Sequence, residues 1–325
     1  MIPERLLQGL DPDARALLDQ RGAPLDYRNL DILEARKAVE RRPRAAGEDV
    51  ASSSDLEVIG VHGVFRVRVL RPVLDVELPA IVYFHGGGLV VGSIDSFDGL
   101  ARSLAVGCRA VVINVDYYLA PEHAYPVATD QAYEALCWVA EHAAELGIDL
   151  GRISVAGDSA GGQLAAGVAL QARDCGGPAL LAQLLFYPGV DFDWDFPSAD
   201  IYAEGPILLR SSAEWMKAQY FAGRGPKELS PYAVPVLADD LSNLPDAIVV
   251  TAEYDLIRDG CERYAERLRH AGNQVVIARY PGVGHGFITQ GLRRSLLAVS
   301  DVCALMRSRQ NVAVERRVSI ALATP

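Results

Sequence analysis

The chain has 325 residues, half of them hydrophobic and 22% charged, which places it among globular proteins and excludes a disordered chain. That length is one large domain or two small ones, and it can bury a sizeable core. A formal net charge of −11 argues against a nucleic-acid partner, because a phosphate backbone would be repelled unless basic residues clustered.

The N-terminal "MIPERLLQGLDPDARALL" carries charges throughout and lacks the apolar centre of a secretory signal. No apolar run reaches about 18 residues, so no membrane span is expected and a cytoplasmic protein is. Asp11-Pro12 predicts a helix start with proline in the first turn, leading into "DARALLDQ". A second helix is predicted over Tyr27 to Arg41. The one basic cluster, Arg36 to Arg44, is interrupted by Ala38 and Glu40 and reads as the solvated face of a helix. The hydrophobic period then changes. "LEVIGV" and "VFRVRVL", separated by His62-Gly63, predict a hairpin or meander.

From there strands alternate with helices. "AIVYF" (80–84), "AVVINV" (110–115), "RISVA" (152–156), "LLFY" (184–187), "AIVVTA" (247–252) and "VVIARY" (275–280) are continuous apolar, β-branched runs, as expected of strands buried on both faces. Stretches such as "ATDQAYEALCWVAEHAAEL" (128–146) read as the intervening helices. The alternation predicts a mostly parallel α/β sheet of about eight strands. A long stretch between "LLFYPG" and "AIVVTA" has no strand signal. Ser211 and Glu214 have capping-box spacing there, followed by Trp215, Tyr220 and Phe221, so a helical insertion is predicted over the sheet, packed with the N-terminal helices. From about Arg309 the chain reads as a loose tail.

Five cysteines, odd in number and never spaced C-x-x-C, predict neither a disulfide framework nor a zinc site; reduced, mostly buried thiols are expected. The alternating carboxylates of "DFDWD" (191–195) lack the glycine and terminal glutamate of a calcium loop, so a solvated edge or lid hinge is expected and no metal.

Chemistry concentrates at "RISVAGDSAGGQLAAGV". Gly157-Asp158-Ser159-Ala160-Gly161 is a G-x-S-x-G pattern placed where a predicted strand meets a predicted helix. Such a turn lifts the serine hydroxyl above the sheet and leaves the Ala160 N–H at a helix N-terminus, where it can stabilise an anion. A serine hydroxyl needs a base, and the base an orienting acid. His142 and His270 lie in charged helices, His62 in an early turn, and His123 in a loop before the serine. His285 in "YPGVGHGF" follows a strand and is flanked by glycines, at the sheet edge where open α/β sheets bind ligands. For the acid, Asp255 is the first residue past "AIVVTAEY" and is favoured by position; Glu253 and Asp259 are the alternatives. Three consecutive glycines in "YFHGGGLVVGS" let backbone N–H groups approach a substrate oxygen without a Cβ in the way, and His85 reads as a strut for that loop.

Together "HGGG", "GDSAGG", "YYLAPEHAYP", "AEYDLIRD" and "YPGVGHGF" resemble the hormone-sensitive-lipase-like esterases of the α/β-hydrolase fold, over roughly residues 55 to 306. The resemblance implies residues 1–50 as a helical cap segment and 51–325 as the catalytic domain, with a cap insertion at about 190–225. It implies Ser159 as nucleophile, Asp255 as orienting acid, His285 as base, and Gly86, Gly87 and Ala160 as oxyanion donors, with Gly88 sharing or only shaping the loop. Tyr118 stands where the family usually has arginine, in a loop away from that chemistry. The implied activity is hydrolysis of short-to-medium acyl esters through an acyl-enzyme, without cofactor. The implied partner is a small ester substrate, and homodimers are common among look-alikes. An amidase, deacetylase or acyltransferase would use the same parts, and a ligand-binding protein on this scaffold is a further alternative. Trp194, Phe196, Trp215 and Phe221 either line the substrate pocket or form cap core.

Overall fold

A computed structural model describes residues 2–225 and 228–323, with side chains followed to Glu315. Eight strands form one sheet: β1 (Ser52–Gly60), β2 (Gly63–Arg71), β3 (Leu78–Phe84), β4 (Val111–Asp116), β5 (Ile148–Asp158), β6 (Ala182–Phe186), β7 (Asp246–Tyr254) and β8 (Val275–Gly284). Their spatial order is β1-β2-β4-β3-β5-β6-β7-β8. β1, β2 and β4 pair antiparallel, with β1 and β2 joined by the two-residue turn Val61-His62, so that Gly63, expected between the strands, opens β2; every other pairing is parallel. The chain runs from β3 outward to β4 and then returns to the other side of β3 for β5. That reversal creates the crevice in which open parallel sheets place their ligands.

Period-two alternation divides the core into two layers. Ala80, Val82 and Phe84 of β3 face one layer, with the buried sides of α4 (Val127–Glu141), α5 (Ala160–Asp174) and α8 (Arg258–His270). Ile81 and Tyr83 face the other, with α3 (Asp98–Cys108) and α9 (Arg293–Ala323). Central strands are apolar on both faces for this reason, and β3 is buried at every residue. Among the described residues no helix is long and apolar enough to cross a membrane.

Two segments lie together over the C-terminal ends of the strands. One is N-terminal: α1 (Pro12–Arg21), a 3-10 turn at Tyr27–Asn29, and α2 (Ile32–Glu40). The other is the insertion after β6, with α6 (Pro197–Ile201) and α7 (Arg210–Phe221). Ser212 on α7 ties them: its hydroxyl donates to the Leu25 carbonyl (3.0 Å) and accepts the Tyr27 N–H (3.1 Å), while Tyr27 stacks on Trp215 at 6.0 Å.

Several sequence expectations are corrected. The helix predicted over 27–41 is divided, because Asp31 and Glu34 form a reciprocal capping box that starts α2 afresh. No such box forms at Ser211: α7 begins one residue earlier, Leu209 is its N-cap, and Glu214 pairs with Arg210 instead. The expected loose tail continues α9. Val302, Met306 and Gln310 recur every fourth residue and are buried, and Arg309 pairs with Asp246 at 3.2 Å. Nor is "DFDWD" a simple solvated edge: Asp193 and Asp195 are exposed, but Asp191 is buried and paired with Arg263. The basic cluster is no solvated face either. Arg36 binds Glu122 and the Val90 and Ala120 carbonyls, and Arg44 stacks over Phe97 at 4.6 Å.

Candidate active site

Four strand ends supply the site. β3 runs into His85-Gly88, β5 into Ser159, β7 into Asp255 and β8 into His285. Ser159 has φ 56° and ψ −118°, a conformation that costs an L-residue roughly 1–3 kcal/mol. The surroundings fix it. Its N–H donates to the Phe186 carbonyl (2.9 Å), and its carbonyl accepts from Gln163 (3.1 Å) and Gly189 (3.0 Å). The flanking glycines make the turn sterically feasible. A Cβ on Gly157 would lie 2.2 Å from the Gly161 backbone, and one on Gly161 would lie 1.9 Å from the Phe84 carbonyl oxygen.

The hydroxyl so presented lies 2.8 Å from His285 Nε2. On the far side of the ring, His285 Nδ1 lies 2.8 Å from Asp255 Oδ2. Asp255 is buried, and its other oxygen accepts the Ile257 N–H at 3.1 Å. An ionised carboxylate only accepts, so Nδ1 carries the ring proton and Nε2 is left to accept from Ser159. Tyr187 packs against the imidazole at 4.8 Å. The alternative acids are engaged elsewhere: Glu253 accepts the Gly282 N–H (2.9 Å), and Asp259 accepts from Ser198 N–H and pairs with Arg258. The other histidines of the sequence reading make local contacts, His62 with Asp130, His142 with the Trp138 carbonyl, His270 with the Glu266 carbonyl and His123 stacked on Tyr118. Tyr118 donates to the Val64 carbonyl, toward the β1–β2 hairpin.

The glycine loop requires one correction. The Gly86 N–H is already donated to Asp158 Oδ1 (2.9 Å), so it is not available to a substrate oxygen. No described acceptor takes the N–H of Gly87, Gly88 or Ala160. Asp158 is thus the anchor of this loop, and it also accepts from the Tyr83 hydroxyl at 2.6 Å. Burial raises its pKa to about 6, against the lowering effect of those two hydrogen bonds and of the His285 and Arg44 charges. His85 is the second anchor. Its ring lies between Tyr117 (4.4 Å) and Phe97 (5.3 Å), its Nδ1 bonds the Gly86 carbonyl (2.7 Å), and its carbonyl accepts from the Tyr117 hydroxyl (2.6 Å). Burial lowers the His85 pKa to about 4, so the ring is neutral and Nδ1–H is the donor.

A cavity of about 170 Å³ opens above Ser159 and His285, closed by the N-terminal segment and the insertion. Of the four aromatics weighed from sequence, Trp194 and Phe221 line it. Trp215 stacks on Tyr27 instead, and Phe196 packs against Trp194 and Arg263. Sequence reading missed Phe192, Leu208 and Met216 on its wall and, of more consequence, Arg21, Arg42 and Arg44. Nothing in the local pattern of these residues marks them as facing a cavity.

Residues 81–289 match the family described as alpha/beta hydrolase fold. Esterase LipI of Mycobacterium tuberculosis is 38% identical over 310 residues, covering 90% of this chain and 95% of that protein. Carboxylesterase NlhH of the same species is 41% identical over 289 residues, covering 87% and 90%. Among solved structures, a hyperthermophilic esterase from Pyrobaculum calidifontis superposes with a TM-score of 0.85 at 42% identity, over 93% of this chain and 99% of that one.

Proposed function

The chain belongs to the hormone-sensitive-lipase-like esterases of the α/β-hydrolase fold, and from that premise we propose that it is a serine carboxylesterase with Ser159, His285 and Asp255 as its catalytic residues. The observation that carries this reading is the continuous path Ser159 Oγ–His285–Asp255, with both hydrogen bonds at 2.8 Å, beside three unoccupied backbone donors.

A short-to-medium acyl ester enters the cavity with its carbonyl carbon over Ser159 Oγ. His285 Nε2 takes the hydroxyl proton as the oxygen attacks, and the buried Asp255 carboxylate stabilises the imidazolium. Charge develops on the carbonyl oxygen, and the N–H groups of Gly87, Gly88 and Ala160 receive it. Each such donor is worth roughly 10²–10³ in rate, because it is in place before the charge appears. Asp158 and His85 act through the loop and do not touch the substrate. The alcohol departs with the proton from Nε2, and water then releases the acid by the same route in reverse. The N-terminal segment and the insertion form the cap that excludes bulk water and sets acyl length.

A fluorophosphonate probe and a chain-length series of p-nitrophenyl esters test the reading. Wild type is expected to be labelled and to turn over the shorter esters, and Ser159→Ala to do neither. Equal labelling of Ser159→Ala, or no labelling of folded wild type, would refute it.

A further inference from the structure

The "RRPR" run at 41–44 lies beyond the end of α2, and its Arg42, Pro43 and Arg44 line the cavity. Arg42 and Arg44 line the same cavity as Ser159 and His285, and Arg21, the last residue of α1, joins them. Lys217 of α7 lines it too. The only described carboxylate on that wall is Asp158, which holds the glycine loop. In a chain of net charge −11, this is a local concentration of positive charge on the wall of the cavity above Ser159.

Arg42 and Arg44 lie over ring faces, Tyr27 at 5.9 Å and Phe97 at 4.6 Å, but none of the three arginines is held by a carboxylate. Arg36 shows the contrast: it binds both oxygens of Glu122 and two backbone carbonyls. Arg21 gives one bond to the Pro43 carbonyl (3.0 Å), Arg42 one to the Tyr27 hydroxyl (2.8 Å), and Arg44 one to the Val39 carbonyl (3.2 Å). A guanidinium has five donors, so most are unused. The Arg21 Nε is buried with no partner at all. None of the three is ion-paired with a described carboxylate. All three are half-buried, and burial together with the Arg42 and Arg44 charges presses the Arg21 pKa down. The Glu40 and Asp158 charges act on Arg44 without pairing with it, and the causes acting on Arg21 are burial and its two like-charged neighbours, an arrangement that an added anion would relieve.

We propose that Arg21, Arg42 and Arg44 form an anion subsite in the substrate cavity, so that the preferred ester carries a carboxylate remote from the scissile carbonyl. The inference rests on the esterase reading and names its substrate class. Ile207, Leu208 and Trp194 line the same cavity and supply apolar surface for the hydrocarbon of such a substrate. The carboxylate sits on the acyl side in a monoester of a dicarboxylic acid, or on the alcohol side in an O-acyl hydroxy acid.

The test compares kcat/KM for each carboxylate substrate with that for its primary-amide counterpart, which has nearly the same shape and no charge. One arm runs monoethyl esters from succinate to suberate; the other runs O-acetyl ω-hydroxy acids of matching length. In at least one arm the carboxylate is expected to exceed the amide by about tenfold or more, the scale of a charge-assisted hydrogen bond. About 1 M NaCl, which shortens the screening length to about 3 Å, should reduce the advantage. The ratio should fall toward one in Arg42→Gln/Arg44→Gln and be partly kept in Arg42→Lys/Arg44→Lys. Wild-type measurements decide the matter even if a variant does not fold. Carboxylates no better than amides in both arms, with the amides turned over, overturns the anion subsite. No turnover of any ester, together with no labelling of Ser159, overturns the esterase reading instead.

Discussion

Asp255→Asn probes the proposed catalytic path at its least exposed point. Asp255 is 1% exposed and uses its two oxygens on different donors, Oδ2 on His285 Nδ1–H at 2.8 Å and Oδ1 on the Ile257 N–H at 3.1 Å. In asparagine only one of those positions is an acceptor. The Ile257 N–H is a fixed backbone donor, so the amide oxygen stays with it and the new NH₂ faces the imidazole. Nδ1 must then accept, the ring proton moves to Nε2, and His285 can no longer take the proton of Ser159. A tautomer inversion of this kind lowers kcat by about 10⁴, or about 5.5 kcal/mol of barrier, while the shape of the site is kept. The assay is steady-state kcat on p-nitrophenyl acetate together with the rate of fluorophosphonate labelling, with thermal unfolding as the folding control. Glu253→Gln is the comparator, because Glu253 bonds the Gly282 N–H and lies off the proton path. The reasoning fails if folded Asp255→Asn keeps more than about a tenth of wild-type kcat, or if Glu253→Gln proves the more damaging change.

Two further outcomes follow from the loop that faces Ser159. Gly87 has φ 120°, and a Cβ there would sit 1.9 Å from the Val91 carbonyl oxygen, so Gly87→Ala must displace the loop; kcat is expected to drop by about 10²–10³ as a donor is misplaced. Retained kcat in that variant would remove Gly87 from the oxyanion site. Asp158 has its folded pKa raised to about 6, so its contribution is most favourable below the usual carboxylate value and is lost as pH rises through 6. Asp158→Asn removes that titration and can still accept from Gly86 and Tyr83, so its stability relative to wild type should improve by about 2 kcal/mol between pH 4 and pH 7. Urea unfolding of both proteins across that range checks it, and a pH-independent difference would count against the buried, anionic Asp158.

Buried His85, with its pKa lowered to about 4, has the opposite sign: its contribution is full above the ordinary histidine value and is lost as pH falls from there toward 4. In wild type the two groups therefore oppose each other across mild acid. The difference measurement against Asp158→Asn isolates one of them.

Much of this protein is determined by its sequence alone, because the relevant signals are local. Short continuous apolar, β-branched runs that alternate with helical stretches mark the strands of a sheet buried on both faces. Gly157 is required by the backbone of Gly161 four residues on, although Gly161 in turn is required by the distant Phe84 carbonyl, and the β1–β2 hairpin closes over the two residues Val61-His62. Once a parallel sheet is inferred, its topology brings the residues after β5, β7 and β8 to one edge, so Ser159, Asp255 and His285 could be grouped without coordinates. Tertiary structure alone decided which donors are free and which charges lack partners. Gly86 and Gly87 are indistinguishable as letters, yet the Asp158 carboxylate takes the amide of one and not the other. Arg36 and Arg44 lie in one basic run, yet Glu122 comes from another part of the chain to pair with the first and no described carboxylate is within ion-pairing reach of the second. Hydrogen-bond satisfaction and charge compensation depend on neighbours distant in sequence, and a one-dimensional pattern does not contain those distances.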